Sequence, residues 1–211
     1  MGLDMYLYKT EKFSNLKYAT IEDKKKNKNR DEYYSVKVLV NGNTRPVNLY
    51  ELHEVTLKNG TVVNLWHTNK IVSTGVNKRI EGSTWVEKTE GEHVQPITIL
   101  FSDIDTITYT YAYWRKANLI HNWFVNNIQN GEDDCGEYEV KGSDLIDLVE
   151  LCKEVNDKHK DEYAKAILPP SEGFFFGSYE IDDYYYSELT ETIDQLKDVK
   201  ENEIYTYHSS W

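Results

Sequence analysis

The dominant hydrophobic period of this chain changes near residue 113, from strand to helix, and that change constrains its fold more than any other feature. Ile107–Tyr113 reads Ile-Thr-Tyr-Thr-Tyr-Ala-Tyr, the two-residue alternation of a strand built from β-formers. After it, apolar residues recur every three or four positions. Ala117, Ile120 or His121, Phe124 and Ile128 come first. Leu145, Leu148, Val149, Cys152 and Val155 follow, then Tyr186, Leu189, Ile193 and Leu196. Each set is the buried stripe of an amphipathic helix. These stripes predict helices over Trp114–Ile128, after a cap at Ser143, and from Asp182 or Asp183 to Leu196. Asn130-Gly131 ends the first. Asp161–Ile167 is a further helical piece, stopped by Leu168-Pro169-Pro170.

The part before residue 113 reads as strands. Leu3–Lys9 is a strand by composition, with Asp4 inside it. That acid needs a partner, because an unpaired buried carboxylate is costly; Arg115, Lys116 or backbone N–H groups are the candidates. Tyr33–Val40, Asn41-Gly42 and Thr44–Tyr50 form one hairpin pattern. Val55–Lys58, Asn59-Gly60 and Thr61–Trp66 repeat it. Lys70–Thr74, Thr84–Lys88 and Pro96–Phe101 are further short strands. Asp23–Arg30 has nothing apolar to bury and reads as a mobile solvated loop. The expected architecture is one α+β domain over 1–211. A mixed sheet of Leu3–Lys9, Ile107–Tyr113, Gly136–Val140 and Gly173–Tyr179 is packed by three main helices, and 32–101 forms a β-hairpin-rich insertion.

Charge follows the same division. Met1–Ala112 has 15 basic and 14 acidic residues, whereas Tyr113–Trp211 has 9 basic and 22 acidic, net −13. A surface this acidic repels phosphate backbones and argues against general nucleic-acid binding. Two cysteines, Cys135 and Cys152, give neither a disulfide framework nor a zinc site. No apolar run approaches the length of a membrane span.

No phosphate-binding loop, dinucleotide fingerprint or nucleophile elbow is present, and the six histidines lack metal-ligand spacing. No metal or cofactor is expected, and the chain reads as a binding protein rather than an enzyme. The chemistry gathers in Tyr113–Val125. Helical spacing there would set Trp114, Asn118 and His121 on neighbouring turns, with Arg115 and Asn122 on an adjoining strip. Stacking rings, amide groups and a cation on one helix suit a base, a ribose or a phosphate. Glu132-Asp133-Asp134 lies past the helix end, where acids oppose its dipole and need an offset from Arg115, Lys116 or a cation. Tyr184-Tyr185-Tyr186 must present at least one phenol outward. The candidate ligand-binding residues are therefore Trp114, Arg115, Asn118, His121, Asn122, Asp133 and Tyr184.

Four ordered motifs carry a resemblance. They are Met-Gly-Leu-Asp-Met-Tyr-Leu (1–7), Tyr-Trp-Arg-Lys-Ala-Asn-x-Ile-His-x-Trp-Phe-Val (113–125), Gly-Glu-Asp-Asp-Cys (131–135) and Leu-Pro-Pro-x-x-Gly-Phe-Phe-Phe-Gly (168–177). Together they resemble a family of small, mostly uncharacterised phage and prophage proteins. The match covers the first dozen residues and about 113–196; about 10–112 lies outside it. The resemblance implies a soluble accessory protein made in the host bacterial cytoplasm, with no catalytic residues to carry over.

Three functions follow as expectations. The first is binding of a small nucleotide-like ligand, in the sense of sequestering a host defence signal. The second is an acidic protein–protein inhibitor of a host factor, which needs regularly placed exposed carboxylates and no pocket. The third is a hydrolase using His121 with Asp133 or Asp134, which needs these groups about 3 Å apart. Homo-oligomerisation is compatible with all three.

Overall fold

The structure is a computed structural model that describes residues 2–27, 30–40, 47–48, 51–64, 101–173 and 176–211, with backbone alone for 18–27, 30–40, 48 and 101. The described elements run β1 (Asp4–Lys12), β2 (Lys17–Asn27), β3 (Arg30–Val40), β4 (Val47–Asn48), β5 (Leu52–Leu57), β6 (Val62–Asn64) and β7 (Ile104–Arg115), followed by α1 (Asn118–Asn127), β8 (Glu137–Lys141), α2 (Gly142–Lys158), α3 (Asp161–Ile167), α4 (Asp183–Leu196) and β9 (Ile204–Ser210). The fold is α+β. A six-stranded sheet has the order β6-β5-β7-β1-β9-β8, and β2-β3-β4 form a second sheet.

The main sheet is antiparallel rather than mixed. β9 returns from the C-terminus to lie between β1 and β8 and pairs antiparallel with both. The strand expected at Gly173–Tyr179 does not form: Phe176 N–H turns back to Gly173 O at 3.3 Å, and Gly177 takes φ +103°. Phe174 and Phe175 lie outside the described residues. β9 occupies the expected place in the sheet, and its alternation of Tyr205, Tyr207 and Ser209 inward with Ile204, Thr206 and His208 outward has the strand period.

Asp23–Asn27 and Arg30 are not in a loop either, and 28–29 lie outside the described residues. β2 and β3 pair continuously up to Asn27 opposite Arg30. The backbone register sets Lys25 across from Glu32 and Lys26 across from Asp31. The Asn59-Gly60 hairpin forms between β5 and β6, with Thr61 N–H donating to Asn59 Oδ1 at 2.9 Å. Asn41-Gly42, most of Thr44–Tyr50, and the strands expected at Lys70–Thr74, Thr84–Lys88 and 96–100 lie outside the described residues.

The chain divides into two compact units, Met1–Lys9 with Thr110–Trp211, and Thr10–Tyr109. Asp4 and Lys9 cancel, so the first unit keeps the net charge of −13 and the second is left with +1. In the first unit one sheet face is core. Leu3, Met5 and Leu7 of the N-terminal stretch, Trp114 of β7, Val140 of β8 and Tyr205 and Tyr207 of β9 are all buried there. The helices supply Ile120, Phe124, Leu145, Leu148, Cys152, Leu189 and Leu196 as buried residues. Burial pushes the Cys152 thiol up to about 12, so it is an inert core group. Asp182 caps α4 by accepting from Tyr185 N–H at 3.0 Å. α2 begins with the Asp144 carboxylate accepting from Lys141 N–H at 3.1 Å, so Asp144, not Ser143, closes its first turn.

Candidate functional site

The strand-to-helix junction decides where the site residues go. β7 continues through Arg115, and Lys116 N–H still donates to Leu3 O at 2.8 Å. Lys116 then takes φ +61°, and α1 starts at Asn118. Trp114 and Arg115 therefore project from a strand, on opposite faces, and not from the first turn of a helix. Trp114 is 1% exposed, and its indole N–H donates to Thr192 Oγ1 of α4 at 3.0 Å. Arg115 faces the other way, with its side chain 66% exposed.

Asn118 and Asn122 tie α1 to the irregular segment at 168–178. The Asn118 amide donates to Ser178 O at 2.8 Å and Phe176 O at 3.3 Å. Its own carbonyl accepts from Ser171 Oγ at 3.1 Å. The Asn122 amide donates to Pro169 O at 2.9 Å. The described residues here are in no strand, and side chains satisfy the carbonyls of Leu168, Pro169, Phe176 and Ser178. The stretches 113–125 and 168–177 thus meet each other.

His121 is fully buried and bonded through both ring nitrogens. Nε2 lies 3.0 Å from Asp133 Oδ1, and Nδ1 lies 2.8 Å from the Tyr207 hydroxyl. A carboxylate can only accept, so Nε2 carries the proton and Tyr207 O–H donates to Nδ1. Burial lowers the His121 pKa, and the Asp133 charge and hydrogen bond oppose that shift in part. Tyr207 stacks on Phe124 with centroids 3.9 Å apart, and its phenol is pushed far up, chiefly by burial. At the outer end, Trp211 Nε1–H donates to the same Asp133 oxygen at 3.2 Å. The acidic loop is thus offset by neutral donors rather than by Arg115 or Lys116. Asp134 likewise accepts from Gly136 N–H at 2.8 Å and Tyr138 O–H at 2.9 Å.

Arg115 and Tyr184 remain accessible. Arg115 Nε is 4.0 Å from Asp4 Oδ1, and the Tyr113 hydroxyl donates to the same oxygen. Asp4 therefore has the partner its position requires. Burial, with the Asp4 hydrogen bond second, lifts the Tyr113 phenol to about 12. Tyr6 packs beside it, with ring centroids 5.2 Å apart. Tyr184 O–H donates to Arg115 O at 3.1 Å. Burial raises the pKa of Glu188 nearby.

Among the described residues the structure thus joins Asp133 to His121, and Tyr184 to Arg115, and turns Trp114 and Arg115 to opposite faces of β7. A depression lined by Lys160, Asp161, Glu162, Tyr163 and Ala166 includes none of them. Among the described residues, no group of three or more His, Cys, Asp or Glu could hold a metal ion. Comparison with family models, curated proteins and solved structures finds no match. Sequence reasoning missed Tyr207 and Trp211 as the partners of His121 and Asp133. The period-two run at 204–210 was their signal.

The pair has the distance a His–Asp hydrolase needs, but not the access. A general base must offer a ring nitrogen to the substrate or its water, and both nitrogens of His121 are engaged inside the protein. The chain Tyr207–His121–Asp133–Trp211 instead pins α1, the acidic loop and the C-terminal strand together.

Proposed function

We propose that this protein is a non-catalytic binding protein that engages a basic protein surface through its acidic unit. One observation carries this reading. The net charge of −13 is confined to a single compact unit, and its carboxylates are displayed on the surface rather than gathered in a cleft. On α2, Asp147, Glu150, Glu154 and Asp157 are exposed at spacings of three and four residues, one strip of a helix with rises of about 4.5 and 6 Å. Lys158 neutralises one of them, Glu154, at 2.6 Å. Such a field speeds encounter with a cationic partner and repels anions. The competing nucleotide-pocket reading loses support because Trp114, Asn118, His121 and Asn122 spend their polar groups internally.

In the setting the resemblance implies, the partner is a host protein and the site of action the bacterial cytoplasm. Among the described residues no helix is long and apolar enough to cross a membrane.

The test is binding of a lysine- and arginine-rich peptide, measured by calorimetry at low and high salt beside a panel of nucleotides. A charge-matched acidic protein serves as control. Tighter binding than the control, lost with salt and weakened at least tenfold by D147K/E150K/D157K, supports the reading. Peptide binding no tighter than the control's, or saturable nucleotide binding with no peptide binding, refutes it.

A further inference from the structure

The six-stranded sheet ends at β8, which pairs with β9 on one side only. Hydrogen bonds at the end of β8 fix which of its backbone groups face outward. Gly142 N–H donates to Glu203 O at 2.8 Å, toward β9, whereas Lys141 N–H donates to Asp144 Oδ2 at 3.1 Å. Backbone direction alternates along a strand. Tyr138 and Val140 therefore bond β9, and Glu137 and Glu139 turn their N–H and C=O groups away from it. Among the described residues these outward groups have no partner, and neither glutamate makes an ion pair. Glu137, Glu139 and Lys141 are exposed, and Ile204, opposite Lys141 in the register, is 50% exposed.

We propose that this edge takes up an extended segment of a partner protein as an added antiparallel strand, with lysine or arginine opposite Glu137 and Glu139. The inference deepens the reading above and rests on it. Strand addition supplies the outward N–H and C=O groups with ladder partners, and main-chain bonds of this kind carry its affinity. Directly opposed side chains on one face lie about 5 Å apart, so cations at alternate positions of the segment meet both carboxylates. A second copy of β8 fits poorly. In either antiparallel register that uses the backbone groups of both glutamates, Glu139 falls opposite Glu137 or opposite itself, and like charges so placed are destabilising. Charges on an edge strand guard it against pairing with copies. Glutamates do so while leaving the edge open to a cationic strand, and the surrounding unit, at −13, repels an acidic one.

The experiment uses the full-length chain and an end-blocked peptide, Thr-Lys-Thr-Lys-Thr-Lys-Thr, followed by NMR. In the free protein, amide exchange should be faster at Glu137 and Glu139 than at Tyr138 and Val140. With peptide bound, it should slow at Glu137 and Glu139. Lysines opposite the glutamates in an antiparallel ladder point their own N–H groups at β8. N-methylation of the lysine amides should therefore weaken binding about tenfold, and N-methylation of the threonines should leave it nearly unchanged. Glu139→Lys should weaken binding about tenfold, while Glu162→Lys, the same charge change on α3, leaves it unchanged. Unchanged exchange at Glu137 and Glu139 under saturating peptide, equal binding of the two methylated peptides, or equal losses from Glu139→Lys and Glu162→Lys would each overturn strand addition. These outcomes leave the acidic-surface reading standing. Slowing at the same amides without peptide, rising with protein concentration, would give the edge to a second copy and overturn the proposal. Absence of any cationic-peptide binding, or equal binding of a peptide with glutamate in place of lysine, overturns both readings.

Discussion

Gln195 of α4 makes both backbone hydrogen bonds of Tyr113: its carbonyl accepts from Tyr113 N–H at 2.8 Å, and its amide donates to Tyr113 O at 3.0 Å. One side chain does here what a neighbouring strand would do. β5 pairs with β7 from Ile104 to Tyr109, so the edge at Tyr113 lies beyond that ladder. Tyr184 closes the next carbonyl, that of Arg115. An unpaired edge invites other chains, and α4 blocks it.

Gln195→Glu should therefore cost more than Gln195→Ala at neutral pH. A carboxylate keeps the acceptor but faces Tyr113 O with no donor. Each lost hydrogen bond is worth about 1 kcal/mol, and the repulsion adds to it. Amide exchange at Tyr113 should speed up in the Ala variant, which loses the acceptor, and the stability of the Glu variant should recover on acidification. Unchanged exchange at Tyr113 would show that the clamp contributes nothing.

His121 should make the protein acid-sensitive in a defined window. Unfolded, the imidazole takes its proton near pH 6.5; folded, burial holds it neutral to lower pH. The unfolded chain thus binds more protons between these two values, and stability falls as pH drops below about 6.5. His121→Gln should lower the melting temperature at pH 7.5 through lost buried contacts and also flatten the slope between pH 6.5 and 5. A wild-type slope retained in the variant would assign the titration to another group.

Asn118 should be less replaceable than Asn122. Asn118 is buried and donates to two carbonyls, whereas Asn122 makes its one bond to 168–178 at a more exposed position. Asn118→Asp removes both donors and sets a charge against two carbonyl oxygens, a cost of about 2–4 kcal/mol; Asn122→Asp should cost about 1 kcal/mol. Limited proteolysis should find 168–178 cleaved first in Asn118→Asp. Equal protease resistance in both variants would contradict the anchoring role.

Gly177 completes that anchor. Its φ of +103° suits glycine, and an added Cβ would lie 3.1 Å from Lys116 O. Gly177→Ala should destabilise by about 1–3 kcal/mol in a denaturant titration, through backbone strain and the crowded carbonyl together. A neutral outcome would mean that the segment can shift away from the β7–α1 junction without loss.

Local pattern alone determined the α+β class, the stripes of α2 and α4, the β5–β6 hairpin and the confinement of acid to one part of the chain. Each is a property of residues a few positions apart, and propensity and period act at that range. The acid within the first strand even announced its need for a partner. What the tertiary structure decided lies at longer range. Trp114 and Arg115 look helical by spacing, but a ladder bond from Lys116 to Leu3, more than a hundred residues away, keeps them in β7 and turns them to opposite faces. His121 looks like a ligand group, yet Tyr207 and Asp133 reach it from a distant strand and a loop and use both its nitrogens. Gly173–Tyr179 has strand composition, but β9 fills that place in the sheet, and the segment is held by asparagine side chains instead. Sequence shows what a residue is able to bond; which partner arrives depends on chain segments that only folding brings together.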